Sequence, residues 1–360
     1  MTLKVGKISV VLALVAALAL AWETASAQSY TVTEIGPLRG GSIIVHKVNF
    51  SGQFVGGSGN PDGSGTRAFV STGSGTLQVI GMLPGGDYSE SFAVNHAGDV
   101  AGSANAATTV HAFLWTRSSG TQDLGALRGD NGSQAFGLND AGHVVGVSSG
   151  KNGIHAFLWS RSTGMQSLGV LLGGKASQAY GINNSDSVVG VSTTENGDRA
   201  FLWTRGGGMQ NLGVLGSDQH SRALAINDSG QVVGSSAGPT GTHAFLWSAA
   251  TGMQDLGTLG ENLSEAVSIN NSGRVVGVSQ TSLGARAFVW TPTGGMQNLN
   301  ALIPSASGVL LTTALGINDA GRIVAVGSIN HDNGNDRPAD LDDAHHAGPV
   351  HAFLLTPTGH

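Results

Sequence analysis

Short apolar segments, each cut off by Gly, Asn, Asp or Ser, follow one another along almost the whole chain. Between residues 177 and 215 they read SQAYGIN, SVVGVS, RAFLW and GMQNLGVL. Such segments are rich in β-branched and aromatic side chains and bounded by turn formers, which is the pattern of strands. No segment sustains a 3.6-residue apolar period over the length of a normal helix. The expected class is all-β.

The segments recur. The Asn of an "IN"-like step stands at Asn49, Asn95, Asn139, Asn183, Asn227, Asn270 and Asn318, spaced by 46, 44, 44, 44, 43 and 48 residues. The Phe of an "AF" step stands at Phe69, Phe113, Phe157, Phe201, Phe245, Phe288 and Phe353, spaced by 44, 44, 44, 44, 43 and 65. Two independent markers with one period exclude chance. Four short strands in such a unit make a propeller blade.

Two details favour a closed ring over an open solenoid. Four and two places before the Asn the side chains are small, as in Ala135 and Gly137, Ala179 and Gly181, Ala223 and Ala225, Ala266 and Ser268, and Ala314 and Gly316. Small residues are needed where blades converge on an axis. The ends also complement each other. The last copy stops after HAFLLTPTGH without its "MQxLG" strand, while YTVTEIGPL near the start is a spare, with Ile35-Gly36 aligned to Leu124-Gly125. The sequence therefore predicts a seven-bladed β-propeller of four-stranded blades, the last closed by the N-terminal strand, which leaves no open edge.

Lys4 and Lys7, an apolar run from Ile8 to Ala21 and Ala25-Ser26-Ala27 form a secretory leader. The run is too short to span a bilayer. We expect cleavage near Ala27-Gln28, a single propeller domain over 28–360, and a secreted or periplasmic monomer with no membrane span. Losing two lysines and one glutamate with the leader takes the net charge from −6 to −7. No basic face appears, so nucleic acid is not an expected partner. With no cysteine, stability must come from the core, and 57 glycines without proline enrichment indicate many turns.

The recurring residues read as structural. Asn139, Asn183 and Asn227 precede tight turns of the type NDAG or NDSG, and one copy puts Asp186 where the others have Gly. Asn bonds its own backbone two residues on, and Gly or Asp tolerates the left-handed region. A basic or imidazole residue precedes each "AF": Arg67, His111, His155, Arg199, His243, Arg286 and His351. Arg cannot ligate a metal, so the shared chemistry is N–H donation, to an Asn or Asp turn of the same or the next blade. The Gly at the end of "VVG" allows close backbone approach, although the last copy has Ala325 there. Gly-Met-Gln at Met165, Met209, Met253 and Met296 is core and turn.

With these residues in view, "HAFLW…GMQxLGxLGG…AxxINxxGxVVGxS" resembles the HAF repeat of extracellular repeat proteins. The resemblance covers essentially the whole chain after the leader. It implies an exported β-repeat protein and no particular activity.

Function on a propeller lies where the repeat breaks. The fourth-to-first loops carry Asp87, Glu90, Arg128, Asp130, Lys175, Asp218, His220, Glu261 and Glu265, and the second-to-third loops carry Asp62, Glu195 and Asp198. Together they form a candidate binding rim on one face. The tripeptide Arg128-Gly129-Asp130 is too short to support an adhesion reading. An acidic insertion, HDNGNDRPADLDDAHH at 331–346, interrupts the last blade. Asp332 and Asp336 there are weak candidates for a metal, since the spacing matches no calcium loop, and a solvated loop is the expected state. No catalytic residue and no cofactor are expected, because no nucleophile, zinc or nucleotide motif occurs. Two functions stay open: a non-catalytic extracellular module for glycan or protein, and a hydrolase or lyase using acidic residues at the axial mouth.

Overall fold

The computed structural model describes residues 28–36, 42–60, 63, 65–72, 75–106, 109–151, 153–329 and 350–358. The leader at 1–27, Asp62 and the insertion at 331–346 with Asp332 and Asp336 lie outside the described residues. Seven four-stranded antiparallel sheets stand in a ring, a seven-bladed β-propeller. Blade one holds β2 (Ile43–Val48), β3 (Phe54–Gly59), β4 (Thr66–Ser71) and β5 (Leu77–Val79); blade three repeats the order with strands Asp130–Leu138, Val144–Gly150, Gly153–Ser160 and Gly164–Ser167. Two one-turn 3-10 helices, Leu299–Ala301 and Ser305–Ser307, are the helical pieces among the described residues.

The seventh blade closes as the spare strand requires. Its own strands are Val309–Ile317, Ile323–Ile329 and His351–Thr358, and β1 (Ser29–Ile35) pairs antiparallel with the last of these, from Ser29 opposite Thr358 to Ile35 opposite Ala352. Glu34 faces Phe353 as Asp123 faces Phe113 in blade two, so the aligned register holds residue for residue.

Apolar runs bury both faces because the core lies between blades. Seven clusters occur, each shared by two neighbours; Phe157, for example, packs with Ala112, Leu114 and Leu124 of blade two and with Ala135 and Val144 of its own. All seven repeat phenylalanines are fully buried, each stabilising the fold by about 1.5–3 kcal/mol. A serine at the start of most first strands joins neighbours through hydrogen bonds. Ser133 Oγ accepts from Ala112 N–H at 2.8 Å, and Ser177, Ser221 and Ser264 repeat the contact at 2.8–2.9 Å.

The "VVG" glycine has a steric cause. A Cβ at Gly190 would lie 1.9 Å from the Gln178 carbonyl oxygen and 2.9 Å from Ala179 Cα. In blade seven an extra register shift between Leu311 and Thr313 moves the close approach to Gly327, where an added Cβ would lie 2.0 Å from the Leu310 carbonyl oxygen, and Ala325 carries its methyl. Gly190→Ala should therefore cost at least about 1–3 kcal/mol of overpacking. Urea denaturation reads this directly, and an unchanged midpoint would show that the strand pair yields without cost.

Candidate functional site

The first strand of each blade lines the axis, and at one end of the axis each strand ends in the repeat Asn. These residues are almost fully buried, at 3–6% exposure. Each holds its own turn. Asn139 Oδ1 accepts from His143 N–H at 3.0 Å, and the Gly142 N–H donates to its carbonyl at 3.1 Å. Each also reaches sideways: Nδ2 donates to the carbonyl of the next blade's Asn, from Asn49 to Asn95 at 2.9 Å and so around to Asn318, which donates to Asn49 at 2.8 Å. The ring of seven closes. Asp186 has φ 59°, the only positive value among the described non-glycine residues, and it accepts from Asn139 Nδ2 at 2.9 Å and pairs with His143 at 2.7 Å. Each Asn thus bonds both within its own turn and to the next blade.

Above this ring lies a cavity of about 200 Å³, floored by the Val, Leu and Ile that precede each Asn and rimmed by the residues that follow. Those rim residues are Phe50, His96, Asp140, Asn184, Asp228, Asn271 and Asp319. Six of them form one hydrogen-bonded arc. His96 Nδ1 meets Asp140 at 2.6 Å; Asn184 Nδ2 donates to Asp140 at 3.0 Å and Asp228 at 3.2 Å; Asn271 Nδ2 donates to Asp228 at 3.1 Å and Asp319 at 3.0 Å. Phe50 interrupts the arc, 56% exposed and edge-on to the His96 ring at 5.8 Å. The amide donors are consumed within the arc, while each carboxylate retains acceptor capacity. The mouth therefore presents acceptors and one aromatic face.

At the other end of the axis the layers differ. Every first strand carries a β-bulge at the same place, at His46, Phe92, Phe136, Tyr180, Leu224, Val267 and Leu315. Four successive rings touch, with centroids 4.7 Å (His46–Phe92), 5.5 Å (Phe92–Phe136) and 5.6 Å (Phe136–Tyr180) apart. Beside them His46 Nε2 lies 2.8 Å from Glu90 Oε1, and Tyr88 donates to Glu90 Oε2 at 2.6 Å. Arg222 pairs with Glu265 at 2.7 Å. Burial alone would raise the Glu90 pKa, but the hydrogen bonds from His46 and Tyr88 and the imidazole charge outweigh it and hold the carboxyl below its ordinary range. Burial and the bond to Glu90 push the Tyr88 hydroxyl well up.

The candidate rim does not converge. Of its residues two reach the axial end just described, Glu90 with His46 and Tyr88 and Glu265 with Arg222. Asp130 and Asp218 accept from Ser148 and Ser236 of their own blades at 2.9 and 2.8 Å, and Asp87 accepts from Asn105. His220 accepts from the Asp198 N–H at 3.3 Å. Arg128, Lys175, Glu195 and Glu261 are exposed. These loop residues point to local loop bracing and solvent. The rim at the opposite mouth was not singled out from sequence, nor was His46, although an imidazole where six copies are apolar is a visible departure.

Where members of the His/Arg series have partners, these are not the Asn or Asp turns expected. His111, His243 and His351 pair with Asp123, Asp255 and Glu34 on the fourth strand of their own blade, at 3.0, 2.7 and 2.6 Å. Arg67 and Arg199 reach loop carbonyls of Asp87 and Gln219 instead. His155 makes none of these contacts, because Ser167 stands where the acid would be. No group of three metal-ligating side chains occurs among the described residues.

Asp140 and Asp186 also lie below the usual carboxylate range: burial opposes this, and hydrogen bonds from His96 and Asn184, and from His143, Asn139 and Arg205, prevail. A depressed folded pKa contributes stability that is full above the unfolded value, about 4, and lost as pH falls through the folded one. The melting temperature of Asp186→Asn should hence fall less steeply than that of the parent protein under acid. Parallel acid slopes would refute this linkage.

A family of unknown function (DUF3466) matches residues 173–343. The sequence matches no curated protein. Among solved structures, an oligogalacturonate lyase in complex with manganese aligns with TM-score 0.56 and 11% identity, over 91% of this chain and 93% of that one. Virginiamycin B lyase from Staphylococcus aureus aligns with TM-score 0.53 and 10% identity, over 92% and 99%. TolB from Acinetobacter baumannii aligns with TM-score 0.50 and 14% identity, over 69% and 63%, so this chain spans less than two thirds of TolB. At these identities the likeness concerns the fold. No helix among the described residues is long and apolar enough to cross a membrane.

Proposed function

We propose that this chain is an exported propeller of the HAF-repeat kind that acts as a non-catalytic binding module, with a glycan seated at the Asn-ring mouth of the axis. One observation carries the reading: the arc of Asp140, Asn184, Asp228, Asn271 and Asp319, broken by the exposed face of Phe50, around a cavity of about 200 Å³. Sugars offer hydroxyl donors for carboxylate acceptors and C–H faces for an aromatic ring, and a concave site with few convergent polar groups suits a small ligand. The leader read at residues 1–27 supports export, and the fixed repeat supports a scaffold whose specificity lies at the departures from it. A glycan array followed by calorimetry tests this. Phe50→Ala and Asp228→Ala should each weaken binding by roughly tenfold or more while melting temperature stays close to that of the parent. Glycan binding that both variants retain in full would refute the site.

A catalytic reading has one observation in its favour, the His46–Glu90–Tyr88 cluster at the opposite mouth. Glu90 would fix the imidazole tautomer and leave Nδ1 free as a base. Hydrolase and lyase substrate screens with the parent and His46→Gln test it; turnover lost in the variant would support catalysis there.

A further inference from the structure

A cleft of about 880 Å³ opens on blade four, away from the axis. The loop 171–174, the turn 194–197 and the strands Gly197–Thr204 and Gly208–Asn211 enclose it. The loop is anchored. Leu171 is buried and its N–H donates to Ser192 Oγ at 3.0 Å. Loop and turn run so close that a Cβ at Gly173 would lie 2.9 Å from Glu195 Cγ.

Three departures from the repeat meet in this cleft. Leu172 stands 98% exposed where the equivalent loops carry Arg128, Gly216 and Gly260. Arg199 replaces the His111 and His243 of blades two and five, and Asn211 replaces their partner acids Asp123 and Asp255. The guanidinium therefore has no carboxylate. Its Nη1 is spent on the Asp198 and Gln219 carbonyls at 2.9 and 2.5 Å, whereas Nε and Nη2 have no partner among the described residues. Asn211 Oδ1 accepts from the Gly213 N–H at 2.8 Å, which leaves the Nδ2 donors for a ligand. Glu195 is exposed and forms no ion pair among the described residues.

We propose that this cleft binds a short peptide as a zwitterion, through its free carboxyl terminus, its amino terminus and an apolar side chain. Arg199 and Asn211 donate to the carboxylate, which a guanidinium fork matches in shape and charge. Glu195 takes the ammonium group, and Leu172 with the half-buried Met209 covers the apolar side chain. Clefts of about 300–1,000 Å³ enclose ligands larger than a free amino acid, so about two or three residues fit best. A neutral glycan would leave both charges unanswered, and this site is independent of the glycan reading at the axis.

Calorimetry on the intact protein with Ala-Ala-Leu, its C-terminal amide and its N-acetyl form tests the assignment. Each capped peptide should bind the parent roughly tenfold or more weakly than the free one. Arg199→His combined with Asn211→Asp copies the pair of blade two, so this variant should fold and lose the preference for a free carboxylate. Glu195→Gln, at an exposed turn, should lose the preference for a free amine. Phe50→Ala at the axial mouth should leave peptide binding unchanged, which separates the two sites. A parent protein that ignores the tripeptide at millimolar concentration, or binds its amide equally well, would overturn the proposal. So would either cleft variant that keeps the parent's preferences, or a loss of peptide binding in Phe50→Ala.

Discussion

Deletion of Ser29 to Ile35 is expected to unfold the protein or drive it to aggregate at ordinary temperature. The strand supplies the whole outer edge of blade seven, paired along all seven of its residues. It also brings Tyr30, at 2% exposure, into the core between blades six and seven, and Ile35 into the core between seven and one. Each large side chain is worth about 1.5–3 kcal/mol, against a total stability of about 5–15 kcal/mol for a typical fold. Removal also bares an apolar strand, His351–Thr358, as a pairing template. Thermal melting and size-exclusion chromatography decide the matter. A deleted chain that melts and elutes as the full chain does would refute closure by this strand.

Asn183→Ala and Asn183→Asp should both destabilise the protein, and their comparison separates two roles. Asn183 Oδ1 accepts from the N–H groups of Ser185 and Ser187 at 3.1 and 3.0 Å, while Nδ2 donates to the Asn227 carbonyl at 3.1 Å. Alanine abandons all three. Each buried group left unpaired costs about 1–3 kcal/mol. Aspartate keeps the acceptor and remains a good turn former, but it turns a carboxylate oxygen toward the Asn227 carbonyl. Were the turn the whole role, aspartate would be mild; with the ring intact in the parent, it should be at least as damaging as alanine in urea denaturation. A near-neutral aspartate variant would remove the inter-blade bond from the account.

The repeat period, the four strands, the small axial residues and the closing strand were legible because each leaves a mark at fixed spacing. The His/acid pairing was legible in principle: His111, His243 and His351 have an acid at the matching fourth-strand place, while Arg199 and Arg286 face blades with Asn211 and Asn298 there. Reading it required the register of Phe113 with Asp123, which loop lengths alone do not reveal. The axial face was hidden for a different reason. The bulge inserts one residue into every first strand and breaks the alternation of faces. Neither His46 nor Lys47 can therefore be assigned to a side by counting in twos. The ring bonds were hidden because the Asn turn already accounted for the residue. The charged loop residues stood out in composition, yet most of them brace a serine or an asparagine of their own blade.

The seven Asn amides all run in the same rotational sense. Seven like dipoles placed head to tail around a circle cancel in their plane, so the floor of the mouth exerts almost no net field at the axis. The arc above it is different: its three carboxylates, Asp140, Asp228 and Asp319, stand on blades three, five and seven, centred on Asp228, while Phe50 holds the gap on blade one. The potential across the opening is thus lopsided, and a molecule entering along the axis meets a preferred compass direction, its donor-rich edge toward Asp228 and its apolar edge toward Phe50. A nearly sevenfold scaffold in this way acquires a single azimuth.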